Sequence, residues 1–182
     1  MVTTKWAIDP VHSDIQFKVK HMMISTVTGQ FKQFDATVET VGDDFSTAKI
    51  NFSADVKSIS TNNDQRDGHL NATDFFESEN YPQLVFVGDK LEKMDNENYQ
   101  LHGTLSMRGV SKTITLAVEF GGVMVDPYGN TRAGFSIEGK LNRKDYGVNF
   151  SMISEAGSIL LAEEVKIQVN AEFVKQVALA TA

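Results

Sequence analysis

An all-β fold, an antiparallel barrel of about eight strands with a short helical insertion near residues 62–76, is predicted by three observations on this 182-residue chain. Hydrophobic residues recur with period two along nearly its whole length, the signature of strands with one buried face. The patterned segments are separated by turn-forming clusters, among them Gly42-Asp43-Asp44, Asp95-Asn96-Glu97-Asn98, Arg108-Gly109 and Asp126-Pro127-Tyr128-Gly129-Asn130, which suit antiparallel neighbours in an up-and-down meander. An open sheet of this many strands exposes aggregation-prone edges, and closure into a barrel removes them.

The first strand spans 3–8 and stops at Asp9-Pro10, where a turn carries His12 and Ser13. The second, 15–21, places Ile15, Phe17, Val19 and His21 on one face, with Gln16, Lys18 and Lys20 on the other. In the third, 30–41, the apolar phase slips by one between Phe31 and Phe34, which predicts a bulge and a bend. A fourth strand covers 48–58. In the segment 62–76, Asn63 is placed to cap a helix that carries Arg66, His69 and Leu70, Gly68 weakens it, and Tyr81-Pro82 stops it. Strands at 83–91, 99–107, 112–120, 131–141 and 159–173 complete the set. Residues 1–174 read as one domain, and 175–182 as a frayed tail.

Strand parity nominates the interior. Ile15, Phe17 and Val19 point inward, as do Phe52, Leu101, Leu105, Leu116 and Ile167; Phe135 and Ile137 join them if the strand from Thr131 is regular, as we expect. The same residues would serve a filled core or a hollow one, because eight strands accommodate either. Twelve Phe against one Trp suit an apolar lining, since Phe brings no polar atom that demands a partner.

Composition narrows the function. The chain is 41% hydrophobic and 23% charged, and no apolar run approaches the ~18 residues of a membrane helix, so stable membrane insertion is not expected. With a net charge of −7 and Lys and Arg scattered singly, nucleic acid and anionic membrane surfaces are disfavoured as partners. The absence of Cys excludes disulfides and thiolate chemistry. Lys5 and Asp9 interrupt any apolar export segment, so cytoplasmic residence is the expectation, with periplasmic or extracellular residence applying only to a processed form.

Catalytic signatures are missing as well. None of the four His has an i, i+4 partner of the zincin type, and neither a G-x-S-x-G elbow, a P-loop nor a G-x-G-x-x-G fingerprint occurs. Binding without a metal, cofactor or turnover is therefore expected. The rival readings are a metal-dependent hydrolase using His and Asp, and a filled-barrel interaction module.

Charged, His-bearing clusters beside apolar strand faces suggest a ligand with a polar head and a greasy body. Head-group candidates are His12, His21, Arg66, His69 and Arg143. Each has a plainer alternative. Arg66 can anchor the helix, although neighbours on a helix do not face each other and an Arg66–Asp67 pair is not expected. His12 can satisfy itself on Asp9 or Ser13, and Arg143 can pair with Asp145 in a turn beside Tyr146. His102 has the opposite parity to Leu101 and reads as solvated.

The stretches Trp6-Ala7-Ile8-Asp9-Pro10-Val11-His12-Ser13, Phe17-Lys18-Val19-Lys20-His21, Gly29-Gln30-Phe31, Arg66-Asp67-Gly68-His69-Leu70, Asp74-Phe75-Phe76, Tyr81-Pro82, Gly103-Thr104-Leu105 and Asn142-Arg143-Lys144-Asp145-Tyr146-Gly147 together resemble the bacterial YceI-like family in order and spacing, from residue 6 to about 173. The resemblance implies an extended, lipocalin-like barrel whose long pocket holds a polyisoprenoid, an isoprenoid quinone or a similar amphiphile. Many members from bacteria with two membranes carry a cleavable export signal, so a periplasmic shuttle role is not carried over to this sequence. Lipid identity, delivery partner and the choice between monomer and homodimer are left open by the sequence.

Overall fold

A computed structural model describes residues 2–150 and 161–177. Its strands are β1 (Thr3–Ile8), β2 (Asp14–His21), β3 (Ser25–Phe31), β4 (Phe34–Val41), β5 (Asp44–Asp55), β6 (Ile59–Ser60), β7 (Gln83–Lys93), β8 (Asn98–Met107), β9 (Val110–Val125), β10 (Thr131–Asn142) and β11 (Leu161–Lys175), with α1 (Asp64–Leu70) between β6 and β7. All pairings are antiparallel.

The pairing pattern reduces these pieces to the predicted meander. Because β1 pairs with β4 while β2 pairs with β3, β1 and β2 are halves of one bent strand, and so are β3 and β4. Likewise β5 pairs with β4 and its continuation β6 with β3. Three bent strands plus β7 to β11 make eight, and β11 closes the barrel by pairing with β10 along one edge and with β2 and then β1 along the other.

Each bend has a local cause. Between β1 and β2, Pro10 offers no N–H to the ladder, and Asp9 caps the short turn by accepting the Val11 N–H at 3.0 Å. The bend expected between Phe31 and Phe34 is present, but two residues leave the strand rather than one. Lys32 and Gln33 donate their N–H groups to Ser58 O at 3.2 Å and Ser58 Oγ at 3.0 Å, so the bend is stitched to the break between β5 and β6. β3 begins five residues before the patterned segment 30–41, because Ser25-Thr26-Val27-Thr28 carries one strong apolar residue and its strand character comes from pairing with β2. β9 runs on to Val125 through a bulge in which Gly134 faces Gly122 and Phe135 faces Phe120, with Gly122 at φ 106, a region open in practice to glycine.

Asn63 caps α1 as predicted, its Oδ1 accepting the Arg66 N–H at 3.0 Å. The helix is shorter than the predicted segment, and turns follow it to residue 80. At the C-terminus, Lys175 belongs to β11 and Gln176 donates its N–H to Lys5 O, so the expected tail does not begin at 175; residues 178–182 lie outside the described residues, as do 159 and 160 of the last expected strand.

The two ends of the barrel differ. Where β1 meets β11, Trp6, Phe45, Phe120, Phe135 and Phe173 form an aromatic plug with successive ring centroids 5.1–6.0 Å apart. Trp6 is fully buried and donates its indole N–H to Thr40 Oγ1 at 3.3 Å. Toward the other end, inward residues of β2, β10 and β11 stay half-buried although they face the interior. A filled core would cover them.

Candidate functional site

Those half-buried residues surround a cavity of about 520 Å³ between the plug and α1. Of the ten predicted lining residues, nine face it: Ile15, Phe17 and Val19 of β2, Phe52 of β5, Leu101 and Leu105 of β8, Leu116 of β9, Ile137 of β10 and Ile167 of β11. Interior glycines let bulky neighbours lie flat on the wall instead of projecting across it. A Cβ at Gly29 would sit 2.2 Å from the Phe17 ring, and one at Gly139 would sit 2.2 Å from Leu116 Cδ2. The void is thus kept open by residues that a parity argument alone would pack together.

Phe135 is the exception. It points inward as its parity requires and shares that parity with Ile137, since the bulge lies on β9, but it belongs to the plug, stacked on Phe120 at 5.2 Å and 21°. Parity fixes the face of a strand, not the height along the barrel, and pairing with Ala171 sets Phe135 at the closed end.

Four of the five head-group candidates border the cavity at its polar end. His21 closes β2, and Arg66 and His69 project from α1; all three are exposed, so solvent meets the lining here. Arg66 is also an anchor. It donates from Nε to Thr61 Oγ1 and from Nη2 to Thr61 O, both at 2.7 Å, while Asp67 Oδ1 accepts the Thr61 N–H at 2.8 Å. Arg66 and Asp67 therefore share Thr61 rather than pairing with each other. His69 lies 3.1 Å from Asp74 and presents its ring edge-on to Phe75 and Phe150, with centroids 4.9 Å apart in each case.

Arg143 departs from its expected salt bridge. It is buried, and it donates to Ala162 O at 2.9 Å and to Val148 O at 2.8 Å, so it serves backbone carbonyls where Asp145 was expected. Burial lowers its pKa, against a weaker raising effect of Glu163. The Tyr146 phenol is pushed upward by the same cause, with Asp145 adding to it.

His12 does not border the cavity. The turn after Pro10 sits on the outer surface, where His12 Nδ1 lies 2.7 Å from Asp9 Oδ2 and 3.4 Å from Glu172 Oε2. Arg132 completes this cluster, donating to Asp9 Oδ2 and Asp126 Oδ2 at 2.7 Å each and to Glu172 Oε2 at 3.1 Å. The Asp9, His12 and Glu172 ligand atoms lie within 4.8 Å of one another, but the guanidinium already supplies their cation.

The cluster makes a prediction about acid stability. Hydrogen bonds from His12 and then Arg132 hold Asp9 at about 2, and Arg132 with the Asn130 and Tyr128 N–H groups holds Asp126 at about 2. Both carboxyls are depressed on folding, so their contribution is complete above the ordinary carboxylate range and is lost as pH falls through about 2. Arg132→Met is expected to lower the melting temperature at pH 7 and to flatten its decline between pH 4 and 2. A parallel decline in both proteins would remove the cluster from the acid response.

Arg108 carries no sequence signal beyond its turn with Gly109, yet it bears on the site. Its guanidinium donates to Gly147 O and, at 2.9 Å, to Thr73 O, with Glu77 3.8 Å away, and so ties together three loops at the polar end. Carbonyl partners distant in sequence leave no motif. Phe75 and Phe76, also on the cavity wall, lie in turns where strand parity does not apply.

The sequence profile of the YceI-like domain family matches residues 6–173. A UPF0312 protein of Staphylococcus epidermidis is 41% identical over 171 residues, covering 93% of this chain and 97% of that protein. The crystal structure of a Campylobacter jejuni YceI protein is 33% identical with a TM-score of 0.75, over 87% of this chain and 90% of that one. A polyisoprenoid binding domain from Saccharophagus degradans, implicated in plant cell wall breakdown, is similar in fold at 16% identity, with a TM-score of 0.72 over 94% and 98% of the two chains.

Proposed function

Since the chain belongs to the YceI-like domain family, we propose that it binds a long-chain amphiphile, a polyisoprenoid, isoprenoid quinone or similar lipid, with its tail in the cavity and its head at the polar end, for carriage, storage or sequestration. The observation that carries this reading is the ring of half-buried apolar side chains around a void that the described residues leave unfilled. The Saccharophagus degradans neighbour supports polyisoprenoids as the class to test first.

The energetics favour a tail-reading site. At ~0.8 kcal/mol per buried methylene, a five-carbon isoprene unit contributes about 3–4 kcal/mol, so a few units offset an association cost of ~4–15 kcal/mol. A head-group hydrogen bond at ~1–3 kcal/mol orients the lipid and tunes selectivity. Arg66, His69 and Arg143 already have protein partners, which fits a hydrogen-bonding rim better than a reacting centre.

The test is solvent extraction of purified protein followed by mass spectrometry, with thermal unfolding in the presence of added prenyl lipids and quinones. A lipid at 100 times its Kd stabilises by about 2.7 kcal/mol, which raises the melting temperature of a chain this size by roughly 5–11 °C. Empty extracts together with unchanged melting would reject the reading.

A further inference from the structure

We propose that the tip of the β2–β3 hairpin, Met22-Met23-Ile24, docks the polar end of the cavity onto an anionic lipid bilayer, so that an amphiphile passes between membrane and cavity without crossing water. This rests on the lipid-binding reading above and adds the surface from which the lipid comes.

Met22, Met23 and Ile24 are 48%, 62% and 83% exposed, three apolar residues in succession at the end of a hairpin. Their backbone is costly. Met22 and Met23 have φ of 53° and 59°, and the Ile24 N–H closes the turn on His21 O at 3.2 Å. Two successive left-handed residues form the pattern that Asn-Gly fills without strain, so two Met here forgo stability and keep flexible, polarizable apolar side chains in water. An observed outlier of this kind points toward function.

The position of the tip supplies the partner. Val19 and His21 of β2 and Val27 of β3 line the cavity, and His21 pairs with Leu161 at the polar end, so the tip continues the cavity wall outward. Whatever receives the tip also faces the opening, and a chain-like amphiphile resides in bilayers. The charge agrees. From Ile15 to Phe31, β2 and β3 carry Lys18 and Lys20 and no carboxylate, within a protein of net charge −7. Lys166 adds to Lys18 across the β2–β11 pair, while Glu163 and Glu164 nearby are engaged by Lys144 at 3.0 Å and Lys140 at 3.8 Å. The β2–β3 side of the opening is thus basic within an acidic molecule, while Asp64, Asp67 and Asp74 lie on the α1 side. A second exposed apolar tip, with Met124 and Tyr128 at 77% and 89%, lies at the plugged end beside Asp126 and serves as a control.

The experiment compares the unmodified protein, the double variant Met22→Asn with Met23→Gly, and Met124→Ser. The double variant suits the turn geometry, so it keeps the hairpin while removing two of the tip's three exposed apolar side chains and leaving Ile24. Co-sedimentation uses vesicles of equal phosphatidylglycerol and phosphatidylcholine free of quinone, transfer uses the same vesicles loaded with a prenyl quinone, and cavity loading is read separately with that quinone delivered from cyclodextrin. We expect the double variant to lose vesicle binding and transfer rate at least tenfold, with cyclodextrin loading retained and the melting temperature equal to or above that of the unmodified protein, and Met124→Ser to match the unmodified protein. Equal vesicle binding and transfer by the double variant, with loading intact, overturns the docking alone. Self-association lost in the double variant with vesicle binding unchanged overturns it in favour of a second copy of the chain. Failure of the unmodified protein to load from cyclodextrin overturns the cavity reading and the docking with it.

Discussion

Ile137→Arg is expected to abolish lipid loading and to destabilise the fold by on the order of 3–5 kcal/mol, the scale of an uncompensated buried charge. Ile137 sits on β10 between Val118 of β9 and Val169 of β11 and faces the cavity. An arginine there would set its charge on a wall whose described lining residues include no carboxylate to pair with it. The polar end begins beyond Leu141, four residues along the strand or about 13 Å away, farther than its side chain reaches. Glu138, one residue on, is exposed on the outer face, and Glu138→Arg is expected to change stability by less than about 0.5 kcal/mol and to leave loading intact. Melting curves and extractable lipid for the two variants decide the matter. Equal tolerance would show that the interior parity is wrong, whereas retained folding with lost loading in Ile137→Arg alone would separate the cavity from the core.

The contrast between these adjacent positions was legible in the sequence because a period of two is strict. The same rule located nine segments, of which 3–8 and 15–21 prove to be halves of one strand bent at Pro10, and the phase slip before Phe34 marked a second bend. Closure was not legible in this sense, since β1 meets β11 through residues such as Ile8 and Phe173 that share no local pattern. Nor was hollowness. Phe17 over Gly29 and Leu116 over Gly139 keep the centre open, and those partners come together only when the register is known. Among polar residues, sequence proximity was the useful signal. His12 lay beside Asp9 and is satisfied by it, whereas Arg143 and Arg108 bind carbonyls that no motif announces.

Phe135→Ala is expected to lower stability by about 3–5 kcal/mol, because truncating a packed aromatic loses its burial and leaves a void. Its ring touches Phe45 and Phe120 with centroids 5.2 Å away and Phe173 at 6.0 Å, and no small shift of three aromatic neighbours refills that space. For a chain of this length the melting temperature should fall by roughly 6–20 °C. Phe17→Ala is the counterpart on the wall. Phe17 is half-buried, as Phe135 is, but it faces the cavity and has one aromatic neighbour, Phe31, with ring centroids 5.8 Å apart, so its loss should cost only about 1–2 kcal/mol of stability and weaken prenyl-lipid binding by a similar amount through lost tail contact. The two variants should therefore move opposite observables, with Phe135→Ala melting early yet binding a short prenyl chain as the parent does, and Phe17→Ala melting near the parent yet binding less. Affinity must be measured well below each melting transition, so that unfolding does not masquerade as weak binding. If Phe135→Ala instead melts normally and loses affinity, Phe135 belongs to the cavity wall as its parity alone suggested, and the closed end of the barrel lies beyond it.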